Sequence, residues 1–165
     1  ETVYTRFGDK AGLFSAVVKP AADGLMELYL ESITAARESG DPAEATSQGN
    51  EGTELVLKYI YENFDVFKLI FCHSAGTEYE RYFDELAEIE EKYYREFVKQ
   101  FSRRENMVSD FFIHVICRTG WSYIYEVVSH DLSYDEAQIF MKSIREFCFA
   151  GWGKVLGQNY EDLGL

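Results

Sequence analysis

Apolar residues return every three or four positions along most of the chain, and no stretch alternates apolar with polar residues as a half-buried strand would. The pattern therefore predicts an all-α fold. A first long helix is predicted to start at Asp9, whose carboxylate can cap the open amides of a first turn, and to run through Leu13, Phe14, Val17 and Val18 to Arg37. Pro20 is expected to bend it. Residues 38–50 (ESGDPAEATSQGN) lack apolar periodicity and are rich in Gly, Ser, Asp and Pro, which predicts a mobile loop. Helices over 51–63 and 66–73 follow, the second capped by Asp65 and closed by Gly76. The clearest periodicity comes next: Tyr79, Tyr82, Phe83, Leu86, Ile89, Tyr93, Phe97 and Phe101 share one face, while Glu80, Asp84, Glu88, Glu91, Arg95 and Lys99 fill the other. A helix of about 25 residues, about 37 Å long, is implied. Two more helices, over 109–130 and 134–156, close the chain. Ser133 and Glu136 have capping-box spacing, and Gly157 is a stop signal.

Composition narrows the function classes. A chain of 165 residues with 47% hydrophobic and 16% aromatic residues can build one buried core and is not disordered in composition. Its net charge of −13 argues against wrapping nucleic acid, since phosphate affinity comes mainly from Lys and Arg. The charge is uneven: Arg6, Lys10 and Lys19 against Glu1 and Asp9 give residues 1–19 a net of +1, leaving −14 downstream. Any DNA contact is thus expected in the first few residues. Cys72, Cys117 and Cys148 are an odd number at wide spacing, which predicts reduced thiols and a cytoplasmic setting. The most apolar stretches, 66–72 and 111–117, are far shorter than the ~20 residues that span a bilayer, so no membrane partner is expected.

Residues 2–18, TVYTRFGDKAGLFSAVV, place Tyr4, Phe7, Lys10, Leu13, Phe14 and Val17 in an aromatic-rich turn followed by a lysine that opens a helix. This segment resembles the TetR/AcrR family of transcriptional regulators, at the point where the recognition helix of the helix-turn-helix ends. The resemblance implies that residues 3–6, including Tyr4, Thr5 and Arg6, finish a recognition helix, that Phe7 plugs the apolar interior, and that Tyr4, Arg6 and Lys10 contact phosphates. Lys10 has a physical reason beside the analogy: in the first turn of a helix, its ammonium and the free amides can point at one phosphate. The resemblance implies a division into residues 1–19, the end of a DNA-binding domain, and residues 20–165, a helical effector-binding and dimerisation domain. The chain opens inside the motif, so two further helices are expected upstream, and the intact protein alone is expected to bind operator DNA.

Candidate sites lie on the later helices. His114, Cys117, Arg118, Trp121 and Tyr125 share a face of the penultimate helix, a mixture of aromatic, cationic and titratable groups suited to orienting a ligand in an apolar cavity. Phe67, Phe71, Tyr79, Phe83, Tyr94 and Phe97 are expected to face them and to favour a hydrophobic or aromatic effector that stacks on rings. The competing reading makes His114 and Cys117 ordinary core residues and pairs Arg118 with a Glu of the long helix. The last helix is apolar nearly all round, which points to a homodimer through Phe140, Ile144, Phe147, Trp152 and Val155, with Gly120 and Gly151 allowing close backbone approach. The family resemblance implies a four-helix bundle there. Cys72, His73, His114 and Cys117 are poorly spaced for zinc, no nucleophile pattern is recognisable, and no cofactor is expected. The expected function is therefore a non-enzymatic regulator, most simply a repressor. The alternatives are an all-α enzyme using the His114 face, or a helical dimerisation module without ligand.

Overall fold

The structure, a computed structural model, describes residues 2–103 and 108–157, with the backbone alone at Val3 and Tyr4. Among these residues it is all-α: α1 (Val3–Phe7), α2 (Lys10–Arg37), α3 (Pro42–Glu62), α4 (Phe64–His73), α5 (Tyr82–Phe101), α6 (Asp110–Ser129) and α7 (Tyr134–Leu156). No strand occurs among them, and no helix is long and apolar enough to cross a membrane.

The predicted start of α2 is met as the cap geometry requires, with Asp9 Oδ1 accepting from the Gly12 amide at 2.8 Å. Gly12 is needed there, because a Cβ would lie 2.1 Å from the Phe7 carbonyl oxygen; α1 is folded tightly back on the first turn of α2. Pro20 lies inside α2 without ending it.

The predicted loop at 38–50 is overturned. Helix α3 begins at Pro42, because Asp41 Oδ1 accepts from the Glu44 amide (2.9 Å), Glu44 Oε2 accepts from the Gly40 amide (3.1 Å), and Pro42 supplies a preset φ where no amide is needed. The polar run then forms a helix whose buried side is small, Ala45 and Gly52. Two other boundaries also shift. Helix α4 starts at Phe64 after Asn63, with Asp65 inside its first turn, and α5 starts at Tyr82, leaving Tyr79 in the preceding turns after the left-handed Gly76 (φ 76°). Helices α6 and α7 match the predicted spans within a residue: Ser109 caps α6, Ser133 and Glu136 form the capping box of α7, and Gly157 ends it in the left-handed region (φ 69°).

Helix α2 is the spine of the core. Its Val18 and Leu25 are fully buried, and it packs along α3 with further contacts to α4 and α5. Gly24 lets Tyr59 of α3 cross it closely: a Cβ there would lie 2.1 Å from Tyr59 Oη, which donates to the Ala21 carbonyl at 3.1 Å. From α5, Tyr82 Oη donates to the Ala22 carbonyl at 2.6 Å. Helices α5 and α6 pack side by side, and α4 lies against α6. Helix α7 is held at its ends, by Tyr61 Oη donating to the Leu132 carbonyl (2.8 Å) just ahead of it and by the Arg103 amide donating to the Leu156 carbonyl (3.0 Å). Between those ties Ala137 is fully buried in the core and Arg145 Nη1 donates to Glu54 of α3 at 3.0 Å, while part of the space between the helices is left open by their separation.

Candidate functional site

That separation leaves a cavity of about 520 Å³ walled by α2, α3, α5, α6 and α7. Its walls are mostly apolar: Ile33 from α2, Val56 from α3, Phe97 from α5, Ile116 and Ile124 from α6, Met141 and Ile144 from α7. Two aromatic pairs frame it. Tyr94 of α5 and Trp152 of α7 stack at 4.9 Å with 3° between their planes, and Tyr29 of α2 meets Trp121 of α6 edge-on at 5.2 Å. The room is partly made by glycines, since Gly120 and Gly151 line the cavity and a Cβ built on either meets nothing within 4 Å.

Polar groups in this lining are few and convergent. Glu90 lies four residues after Leu86 and four before Tyr94, so it shares their inward face of α5. Burial raises its carboxyl to about 8, against the opposing pull of Tyr29 and Trp121, whose Oη and Nε1 sit beside it. Neither of those two buried atoms closes a hydrogen bond of normal geometry with the protein. Arg145 Nε, also in the lining, is likewise buried without a partner, while its Nη1 donates to Glu54 Oε1 at 3.0 Å. Polar groups set around one mostly apolar space are what a ligand-binding cavity presents, here Glu90 with Tyr29 Oη and Trp121 Nε1 beside it and the Arg145 guanidinium.

Of the residues predicted to bind a ligand, Tyr94, Phe97 and Trp121 line this cavity. The others lie elsewhere, each for a structural reason. Phe67 is fully buried in the core, edge-on to Tyr59 at 5.9 Å, and Cys117 is buried with its thiol pushed up by desolvation. Phe71 and Phe83 stack at 3.7 Å on the far side of Trp121, with the exposed Tyr125 at 6.0 Å from Phe71, and Tyr79 packs on Phe14. His114 and Arg118 belong to an ion-pair network around Glu91; the Arg118 pairing is the one the competing reading gave, whereas His114 is partly exposed and not a core residue. There His114 Nδ1 lies 3.0 Å from Glu91 Oε1, Arg95 Nη2 donates to Oε2 at 3.0 Å, and Arg118 Nη1 bonds Oε1 directly. Glu91, placed on a solvated face by its sequence context, is only 5% exposed. Burial alone would raise its carboxyl, but the Arg118 hydrogen bond and the charges of Arg118, His114 and Arg95 prevail and hold it below the ordinary range.

The residues assigned to a dimer also divide. Ile144, Trp152, Val155, Gly120 and Gly151 line the cavity of their own chain, and within that chain the two glycines border open space. Phe140 is half-buried, edge-on to Tyr123 at 6.3 Å. Phe147 touches the cavity rim yet is 72% exposed, and Ile139 (70%) and Phe111 (75%) are as open. Comparison of the chain with family models, with curated proteins and with solved structures finds no match in any of the three.

At the other end, Thr5, Arg6 and Lys10 are exposed on α1 and at the start of α2, with the Arg6 guanidinium 5.4 Å above the Phe7 ring; the Tyr4 side chain lies outside the described residues. Among the described residues no three His, Cys, Asp or Glu side chains converge as a metal site.

Sequence reasoning missed Tyr29, Glu90 and Arg145. For Glu90 the signal was present in the four-residue steps from Leu86 to Tyr94, masked by the run of acidic neighbours.

Proposed function

We propose that the chain is the effector-binding and dimerisation part of a TetR-like transcriptional regulator, whose cavity takes a small hydrophobic or aromatic molecule. The observation that carries this reading is the aromatic cavity with a few convergent polar groups on its wall, one of whose walls is α2. The same helix carries Lys10 at its start and holds α1 against its first turn. An effector that prefers one position of α2 shifts the arrangement of the α1 ends, and by linkage weakens DNA binding by the factor with which DNA weakens its own binding. Repression relieved by ligand is the simplest use of that coupling.

The test is a thermal-shift and calorimetric screen of planar hydrophobic compounds against the chain and against Gly120→Leu. Leucine at this helical site fills cavity space that is free in the structure and has the better helix propensity, so the variant is expected to keep or raise its Tm while losing the hits by tenfold or more. No hits in the screen, or hits that bind Gly120→Leu equally well, would overturn the cavity reading.

Homodimerisation is part of the proposal, supported by the exposure of Ile139, Phe147 and Phe111 on α6 and α7. Because Ile139 and Phe147 are open to solvent in the single chain, Ile139→Glu with Phe147→Glu is expected to leave the monomer's stability within about 0.5 kcal/mol. In sedimentation the same variant should shift a dimer at tens of micromolar to monomer. A wild-type chain that is monomeric under those conditions would remove this part of the reading.

A further inference from the structure

Resting on the ligand-cavity reading, we infer that the cavity selects a hydrophobic monocation, an aromatic ammonium or amidinium, whose charge is neutralised by the Glu90 carboxylate inside the ring of Tyr29, Tyr94 and Trp121.

The charges and donors of the lining converge on a positive charge. Glu90 is the one acidic side chain in the lining, and no cationic side chain among the described residues offsets it. The one cation of the lining, Arg145, has its charge paired with Glu54 through Nη1, with Nε alone left without a partner. Tyr29 Oη and Trp121 Nε1 are both set beside the carboxyl as donors, and two donors favour the ionised carboxylate over the neutral acid, which would need an acceptor of its own. The site is thus arranged for the charged form, while burial without a counterion opposes it. A bound cation resolves that opposition, and the faces of the surrounding rings carry the negative side of their quadrupole toward such a head group. The net charge of −13 on the chain concentrates cations around it.

The titration that accompanies binding is confined to one group. Facing Glu90 are Tyr29 from α2, Tyr93 and Tyr94 from α5, Cys117 from α6 and Cys148 from α7, all held neutral by pKa values that desolvation raises, with the Arg145–Glu54 pair as the charged neighbour from α7 and α3. With its carboxyl at about 8, Glu90 is protonated at pH 7 and must release that proton when a cation arrives.

The experiment uses three naphthalene probes of nearly equal shape: naphthylmethyl-trimethylammonium, its neutral carbon isostere neopentylnaphthalene, and naphthylacetate. Calorimetry at pH 7 in buffers of different ionisation enthalpy is expected to show the cation binding at least about tenfold more tightly than the neutral probe, with release approaching one proton. In Glu90→Gln the preference should fall to near unity, with the neutral probe's affinity within about threefold of wild type. Equal or tighter binding of the neutral or anionic probe, cation binding without proton release, or a preference that survives in Glu90→Gln would each overturn the assignment. Proton release is read on the wild-type chain, so the inference stays open to refutation even if the variant folds poorly. If the neutral probe binds and Gly120→Leu blocks it while the cation gains nothing, the cavity reading stands and the cation falls. If no probe binds, both fall.

Discussion

At pH 8 the Glu90→Gln variant is expected to unfold roughly 3 kcal/mol less readily than the wild-type chain, a gain from removing a functional group. The folded chain holds the Glu90 proton up to about pH 8, whereas the unfolded chain releases it near the ordinary glutamate value of 4.5. Between those two values the folded state binds more protons than the unfolded state, so wild-type stability falls as pH rises from about 5 to 8 and then levels off. A full shift of that size would correspond to about 4.8 kcal/mol, and roughly 3 allows for water entering a cavity open to solvent. Glutamine keeps the carbonyl that Tyr29 and Trp121 face and removes the charge, so its stability should be flat across the same window. Urea midpoints at pH 5, 6.5 and 8 check this directly. Parallel pH dependence in the two proteins would mean that Glu90 titrates normally, and the charge argument for the cavity would go with it.

Which parts of this arrangement were legible in the sequence depends on what each feature leaves in the residue pattern. Helix starts with a side chain that must accept from a specific amide were readable, as at Asp9, Ser109 and Ser133, because the capping residue and the apolar period announce the same boundary. Helix α3 was not, because Asp41 and Pro42 stand ahead of a polar stretch whose buried side consists of Ala45 and Gly52, too small to register as hydrophobic periodicity. Tyr94, Phe97 and Trp121 were legible as inward-facing aromatics, but the same spacing describes Phe67 and Phe83, which pack solidly. Period tells which way a side chain points and not whether the space before it is filled. The difference lies in Gly120 and Gly151, and a glycine in a helix reads equally as a close contact or a void.

Adjacent Glu90 and Glu91 show a related limit. Successive residues on a helix point about 100° apart, so a run of acids wraps around it and cannot all be one solvated face. Glu90 turns into the cavity without a counterion, and Glu91 turns under α6, where three cationic or titratable side chains meet it. One carboxyl is pushed up and its neighbour down by the two sides of the same helix. A functional polar group and a structural one are separated here by a single residue.

The structural member of that pair supplies the second large effect. Arg118→Leu is expected to destabilise the chain by about 2–3 kcal/mol at pH 7, since the side chain of Glu91 is only 7% exposed and would lose its closest hydrogen-bonded partner. The cost stays below the 3–5 kcal/mol typical of an orphaned buried charge because Arg95 and His114 still reach the carboxylate at 3.0 Å. The pH dependence identifies the cause. A carboxyl held below its ordinary range contributes stability that is complete above the unfolded value and is lost as pH falls through the lower, folded value. In the wild-type chain that loss is therefore confined to acid below about pH 4; without Arg118 the folded value rises, the contribution shrinks, and the deficit relative to wild type should be largest near neutrality and narrow below pH 4. Removing both charges tests whether the pair itself matters. In Arg118→Leu with Glu91→Leu, no buried carboxylate is stranded, and the double variant should recover most of what the single one lost, as apolar replacements of buried ion pairs commonly do. A double variant as unstable as the sum of the two single changes would show that Arg118 acts through the packing of its methylenes against α5 and not through Glu91.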